Sequence, residues 1–187
     1  MLDQVRGRSR GLTLIELMVT VAILAIMALI ALPSFQSTLS RNRLSGAAES
    51  LAQDMHLARS QAIQDGCTVT ITFSPGSASS WSYQLTKPDS GSSCVNVSCP
   101  TTAVAGVCSL KSVSGSQYSG VSLASTNFSS NAVSFDPVRS TTTAGASGGE
   151  VVLSASSTGD SLKVQLNAVG KVSICTSAGS GSYPACT

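Results

Sequence analysis

Residues 10–35 read RGLTLIELMVTVAILAIMALIALPSF, and from Leu12 to Leu32 this stretch carries a single charge, Glu16. At about 1.5 Å per residue the run forms a helix roughly 30 Å long, which matches the hydrocarbon thickness of a bilayer. It can therefore cross a membrane once. Its apolar core is longer than the roughly 7 to 15 residues of an ordinary secretory signal. Arg6, Arg8 and Arg10 precede it, with Asp3 as the only acid among them, so the leader stays cytoplasmic and the remainder lies outside. Arg41 and Arg43 weaken this bias without reversing it. A carboxylate within a span costs about 2.5 to 3.5 kcal/mol on insertion scales, so Glu16 reads as a functional residue.

The rest of the chain is built differently. Hydrophobic residues make up 42% of the 187 and charged residues only 11%, with the apolar excess gathered at the N-terminus. Three of the eleven basic and one of the nine acidic residues fall in positions 1–11, leaving eight of each sign in the remainder. That balance argues against a general nucleic-acid-binding surface. Beyond Pro33, Leu44, Ala48, Leu51, Met55, Ala58 and Ala62 recur at spacings of three and four, an apolar stripe on a continuing helix. Pro33 is expected to kink it, and Asp65 with Gly66 to stop it.

After Gly66 the period becomes two. Val69, Ile71 and Phe73 alternate, as do Trp81, Tyr83 and Leu85, with Pro75 and Gly76 marking the turn between them. Further strands are expected at 108–113, 120–123, 132–135, 151–155, 162–166 and 169–175. Residues 87–107 read as a loop and 141–149 as a flexible connector. The fold class is α+β, a long N-terminal α-helix packed on a mostly antiparallel β head. Its divisions are a leader at 1–11, a transmembrane helix at 12–32, an amphipathic helix at 33–65 and a β-rich head at 66–187.

Cys67, Cys94, Cys99, Cys108, Cys175 and Cys186 all follow the apolar segment. An even number in a Ser, Thr and Gly-rich chain points to disulfides formed in an oxidising compartment. Three bridges allow 15 pairings, among which Cys175 with Cys186 would close a C-terminal loop. Zinc is the competing reading, and no second close cysteine pair or nearby histidine supports it. His56, the only histidine, falls on the helix, and no nucleophile elbow or paired-carboxylate motif accompanies it. The sequence thus gives no sign of an enzyme, a cofactor, a resident metal or a small-molecule substrate.

The segment RGLTLIEL, Arg10–Leu17, resembles the type III leader of type IV pilins and pseudopilins. That resemblance implies cleavage by a prepilin peptidase between Gly11 and Leu12 and methylation of the new amine on Leu12. It also implies that Glu16 neutralises the amine of a neighbouring subunit during assembly. A new ammonium at Leu12 would lie one helical turn from Glu16, where the helix dipole also favours a carboxylate. Leu12 stands where the family more commonly has phenylalanine.

AAESLAQDMHLARSQAIQDGCTVTI (Ala47–Ile71), VSFDPVRSTTTAG (Val133–Gly145) and LKVQLNAVGKVSIC (Leu162–Cys175) are similar to segments of the GspH/FimT/FimU group of minor pilins. The resemblance implies a pilin-like fold. The implied function is that of a minor pilin anchored in the inner membrane with a periplasmic head, then incorporated in the pilus, in a priming or tip complex, with other minor and major pilins as partners. Two alternatives share the resemblance. One is a pseudopilin of the type II secretion system. The other is a DNA-binding minor pilin for natural transformation, whose G-R-x-R motif aligns with Gly170, Lys171, Val172 and Ser173 and so retains one cation, Lys171. Fewer cations mean a weaker phosphate grip.

Overall fold

A computed structural model of the chain describes residues 13–78, 80–89, 94, 99, 106–138, 148–177 and 182–186. The chain divides into two compact units, residues 1–38 and 39–187. Helix α1, Leu14–Asp65, begins in the first and ends in the second.

In the first unit, α1 from Leu14 to Leu32 is made of Leu, Ile, Met, Ala and Val apart from Glu16 and Thr20. The described side chains from Leu14 to Leu29 are all exposed. It is long and apolar enough to cross a membrane, judged by length and composition. Thr13 caps it. The Thr13 carbonyl accepts from the Leu17 amide at 3.2 Å and its hydroxyl accepts from the Glu16 amide at 3.3 Å, satisfying two groups at the helix start. The T-x-x-E spacing of Thr13 and Glu16 is the sequence signature of a capping box.

In the second unit, the remainder of α1 turns one face inward. Leu44, Ala47, Ala48, Leu51, Met55, Ala58 and Ala62 are all buried, which is the expected stripe with Ala47 added. Four of these seven are alanines, small side chains set against the larger apolar ones of the strands.

Among the described residues eight strands follow: β1 Val69–Ser74, β2 Ser82–Pro88, β3 Val107–Ser114, β4 Val121–Thr126, β5 Ala132–Phe135, β6 Gly149–Ala155, β7 Ser161–Leu166 and β8 Val172–Thr176. They form two four-stranded sheets in the orders β3-β2-β1-β5 and β4-β6-β7-β8. Every pairing between these strands is antiparallel. Alternate residues point inward, among them Val69, Ile71 and Phe73 from β1, Val151, Leu153 and Ala155 from β6, and Leu162, Val164 and Leu166 from β7. Ser and Thr occupy much of the outer faces, where Thr70 pairs with Ser134 and Ser122 with Ser154, each at 2.8 Å. This is the half-buried alternation that antiparallel sheets show.

The two sheets are joined by more than their shared core. The Gly76 amide, in the β1–β2 turn, donates to the Leu123 carbonyl of β4 at 3.1 Å. The Trp81 indole donates to the Val121 carbonyl at 2.7 Å. Phe73 of the first sheet stacks on Phe128, just past β4, with ring centroids 5.7 Å apart.

Every expected strand is present, with shifts at the ends. β2 runs on to Pro88 and β3 starts at Val107, and the Asp89 amide donates to the Gly106 carbonyl at 2.9 Å to close the loop base. β4 reaches Thr126 through a register shift between Leu123 and Ser125. β8 starts at Val172, three residues later than the expected Val169. The cause is the turn at Asn167–Lys171, where Gly170 adopts φ +78° and donates to the Asn167 carbonyl at 2.9 Å. Of the expected connector at 141–149, residues 141–147 lie outside the described residues.

Candidate assembly site

The residues singled out from the sequence, and the polar contacts that hold α1 to the head, form three groups. At the N-terminus, Gly11 and Leu12 lie outside the described residues. Glu16 is in the first turn of α1, exposed, with its own amide held by Thr13. Further along, the Thr20 hydroxyl donates to the Leu17 carbonyl at 2.9 Å, which satisfies it within the helix. The array Thr13, Glu16 and Thr20 follows the spacing of one helix face, on a segment whose other described side chains are apolar from Leu14 to Leu29. α1 continues past Pro33 as one assigned helix, and the side chains of residues 30–33, with the expected kink, lie outside the description.

Such a segment has one physical requirement. Leu14, Ile15, Leu17, Met18, Leu24, Ile26, Met27 and Leu29 are each at least half exposed. A contiguous apolar surface of this extent needs lipid or other apolar helices around it. A carboxylate among them demands a cationic partner or the headgroup layer.

The second group lies on the inner face of the head, where α1 is tied to the sheets by polar contacts. Asp54, buried on the apolar stripe, accepts from the Tyr83 hydroxyl at 2.8 Å and from Lys111 Nζ at 2.6 Å. Burial first, and then the Asp54 carboxylate beside it, pushes the Tyr83 hydroxyl far above its ordinary value of 10.0, so Tyr83 remains a donor. Asp65, partly exposed, and the buried Lys87 form a second pair at 2.8 Å. Tyr183 donates to Glu49 at 2.6 Å, and Arg59 donates to the Gly170 carbonyl at 3.3 Å.

None of these contacts is evident from the sequence as chemistry, although Asp54 leaves a trace. It sits three residues from Leu51 and four from Ala58, an acidic residue on the inward stripe. A carboxylate there must be paired.

The third group holds the remaining candidates. The cysteines pair as Cys67–Cys94, Cys99–Cys108 and Cys175–Cys186. Lys171 is exposed in the β7–β8 turn, one residue before β8, and its amide donates to Asn167 Oδ1 at 2.7 Å. His56 is exposed on α1, two residues after the buried Asp54. Arg41 is paired with Asp160, Lys87 with Asp65, Lys111 with Asp54 and Lys163 with Glu150. These bonds hold Asp160 and Glu150 below their ordinary values, the hydrogen bond from the basic partner being the leading cause in each.

The model of the type II transport protein GspH matches residues 47–170, and that of the prokaryotic N-terminal methylation motif matches residues 6–32. Among solved structures, the type IV minor pilin FimU of Pseudomonas aeruginosa is similar at 14% identity and a TM-score of 0.53, over 76% of this chain and 96% of that one. The minor pseudopilin EpsH of the Vibrio cholerae type 2 secretion system is 11% identical with a TM-score of 0.47, over 72% and 97%. No curated protein sequence matches. The GspH match spans most of the head and the methylation motif covers the apolar start of α1, so the chain belongs to the GspH family and is a minor pilin or pseudopilin.

Proposed function

We propose that the chain is a minor type IV pilin. It is cut by a prepilin peptidase between Gly11 and Leu12, methylated on Leu12 and held in the inner membrane by the first half of α1, with the head in the periplasm. It then enters the pilus through that helix, in a priming or tip complex, beside other minor and major pilins. The observation that carries this reading is the exposed apolar start of α1 with Thr13 and Glu16 at its head, inside residues 6–32 matched by the methylation motif. A lipid anchor has no use for Glu16. A helix that leaves the bilayer beside another subunit's amine does.

A type II secretion pseudopilin is the second reading, favoured by the description of the matched family as a type II transport protein. Both readings share the processing step, which is therefore tested first. Mass spectrometry of the mature protein is expected to show a methylated N-terminus at Leu12, and Gly11→Ala is expected to leave the precursor uncut. A mature chain starting elsewhere would remove both readings. Co-purification with pilus rather than with secretion-system subunits then separates them.

A further inference from the structure

The Cys99–Cys108 disulfide differs from the other two in its surroundings. Asp89 Oδ1 lies 3.0 Å from Cys99 Sγ and 3.7 Å from Cys108 Sγ, and all three ligand atoms fall within 4.8 Å of one another. An ionised carboxylate can only accept hydrogen bonds. It gains nothing from a disulfide, which has no proton to offer. It gains two donors when the sulfurs are thiols, so its position favours the reduced pair.

The Cys175–Cys186 bridge is held by backbone bonds on both sides, with the Thr176 amide donating to the Pro184 carbonyl at 2.9 Å and the Cys186 amide to the Thr176 carbonyl at 3.2 Å. Tyr183 also anchors that segment to Glu49. Cys99 is half-buried and Cys108 fully buried, so an incoming thiolate meets Cys99 first.

The geometry points to a redox-gated site for a thiophilic divalent cation of the zinc type, closed as the Cys99–Cys108 disulfide and open as two thiols beside Asp89. A dithiol reductant opens it. Its thiolate attacks Cys99 Sγ, the S–S bond breaks, and Cys108 leaves as a thiolate that takes up a proton. The reductant's second thiol then displaces Cys99 as a thiol, carrying away the oxidised cyclic disulfide. Zn²⁺ binding releases both thiol protons to solvent. With Zn–S near 2.3 Å and Zn–O near 2.0 to 2.2 Å, a tetrahedral site needs S···O separations of about 3.5 Å. In the disulfide form the two are 3.0 and 3.7 Å, and breaking the S–S bond frees the sulfurs to part to the roughly 3.8 Å that two tetrahedral thiolate ligands require. Two sulfurs and one oxygen leave the fourth position for water.

The test uses the full chain in detergent. After limited dithiothreitol treatment, alkylation and peptide mass spectrometry should find Cys99 and Cys108 labelled before the other four cysteines. After removal of the reductant, this chain should take up one Zn²⁺ in competition with a chromogenic chelator, and the oxidised chain none. Asp89→Asn should lower Zn²⁺ affinity tenfold or more. A Cys99→Ser, Cys108→Ser double variant, which keeps the other two bridges, should bind none. Earlier labelling of another pair, no uptake by the reduced chain, uptake by the double variant, or unchanged affinity in Asp89→Asn would each overturn the proposal.

Discussion

Replacing Asp54 with alanine removes one carboxylate that serves two partners, and the structure fixes how the loss divides. Tyr83 is buried and its hydroxyl has Asp54 as acceptor. Left without one, a buried hydroxyl costs about 1 to 3 kcal/mol. Lys111 is different, because its side chain is 41% exposed and its ammonium can return to water. Its share falls to the range of surface pairs, about 0 to 1 kcal/mol. Removing the buried carboxylate also relieves its own desolvation, so the net destabilisation is about 2 kcal/mol rather than the 3 to 5 kcal/mol of a fully buried pair. For a chain of this size that lowers the melting temperature by about 4 to 8 °C.

Tyr83→Phe, with the Asp54–Lys111 pair intact, should cost about 1 kcal/mol. In the Asp54→Ala background, however, Tyr83→Phe removes the orphaned hydroxyl and should be neutral or stabilising. The assay is a double-mutant cycle on the full chain, read by near-ultraviolet circular dichroism, since Trp81 and Tyr83 stack with centroids 6.3 Å apart. Strictly additive losses would refute the shared-acceptor argument.

Three further predictions follow from the charges. Glu16→Ala should leave membrane insertion intact and strongly reduce incorporation in filaments, measured by the ratio of sheared to cell-associated protein; unchanged incorporation would remove its proposed role. The Glu150 carboxyl sits below its ordinary 4.5, chiefly through the Lys163 hydrogen bond, so its contribution is present above pH 4.5 and lost as pH falls through the lowered folded value. Lys163→Met should flatten the acid limb of a melting-temperature profile between about pH 5 and 2, and an unchanged limb would count against that pair. In a gel-shift assay the chain should bind duplex DNA weakly or not at all, because four of its basic side chains are paired with carboxylates and Lys171 alone stands at the aligned motif; a strong, salt-sensitive shift would promote the DNA-uptake reading.

The sequence discloses periodicity well and partnership poorly. The stripe from Leu44 to Ala62 and the alternation at Val69, Ile71 and Phe73 were readable because burial imposes a period of 3.6 or 2 on a single strand of text. The capping role of Thr13 went unread in the sequence, although Thr13 and Glu16 stand at the spacing that the helix start requires. The Asn167–Gly170 turn was harder, because Val169 continues the apolar alternation while pointing to solvent. The division into two sheets and the Asp54–Tyr83–Lys111 contact were not legible. The contact depends on residues 29 and 57 positions apart meeting in space, and no local pattern encodes such a meeting. Asp89 beside Cys99 and Cys108 is another case, since loop closure rather than spacing brings the carboxylate to the sulfurs.

The Gly76–Leu123 hydrogen bond carries a dynamic consequence. It ties a turn of one sheet to the edge of the other, and the Trp81–Val121 bond lies close to it in sequence. Opening β4 would strip the acceptors from both donors at once, and Phe128 would lose its stacking on Phe73. The two sheets should therefore behave as a single cooperative unit. In native-state hydrogen exchange, the protected amides of β1 and β6 should share one opening free energy, with no sub-global step that releases one sheet while the other persists.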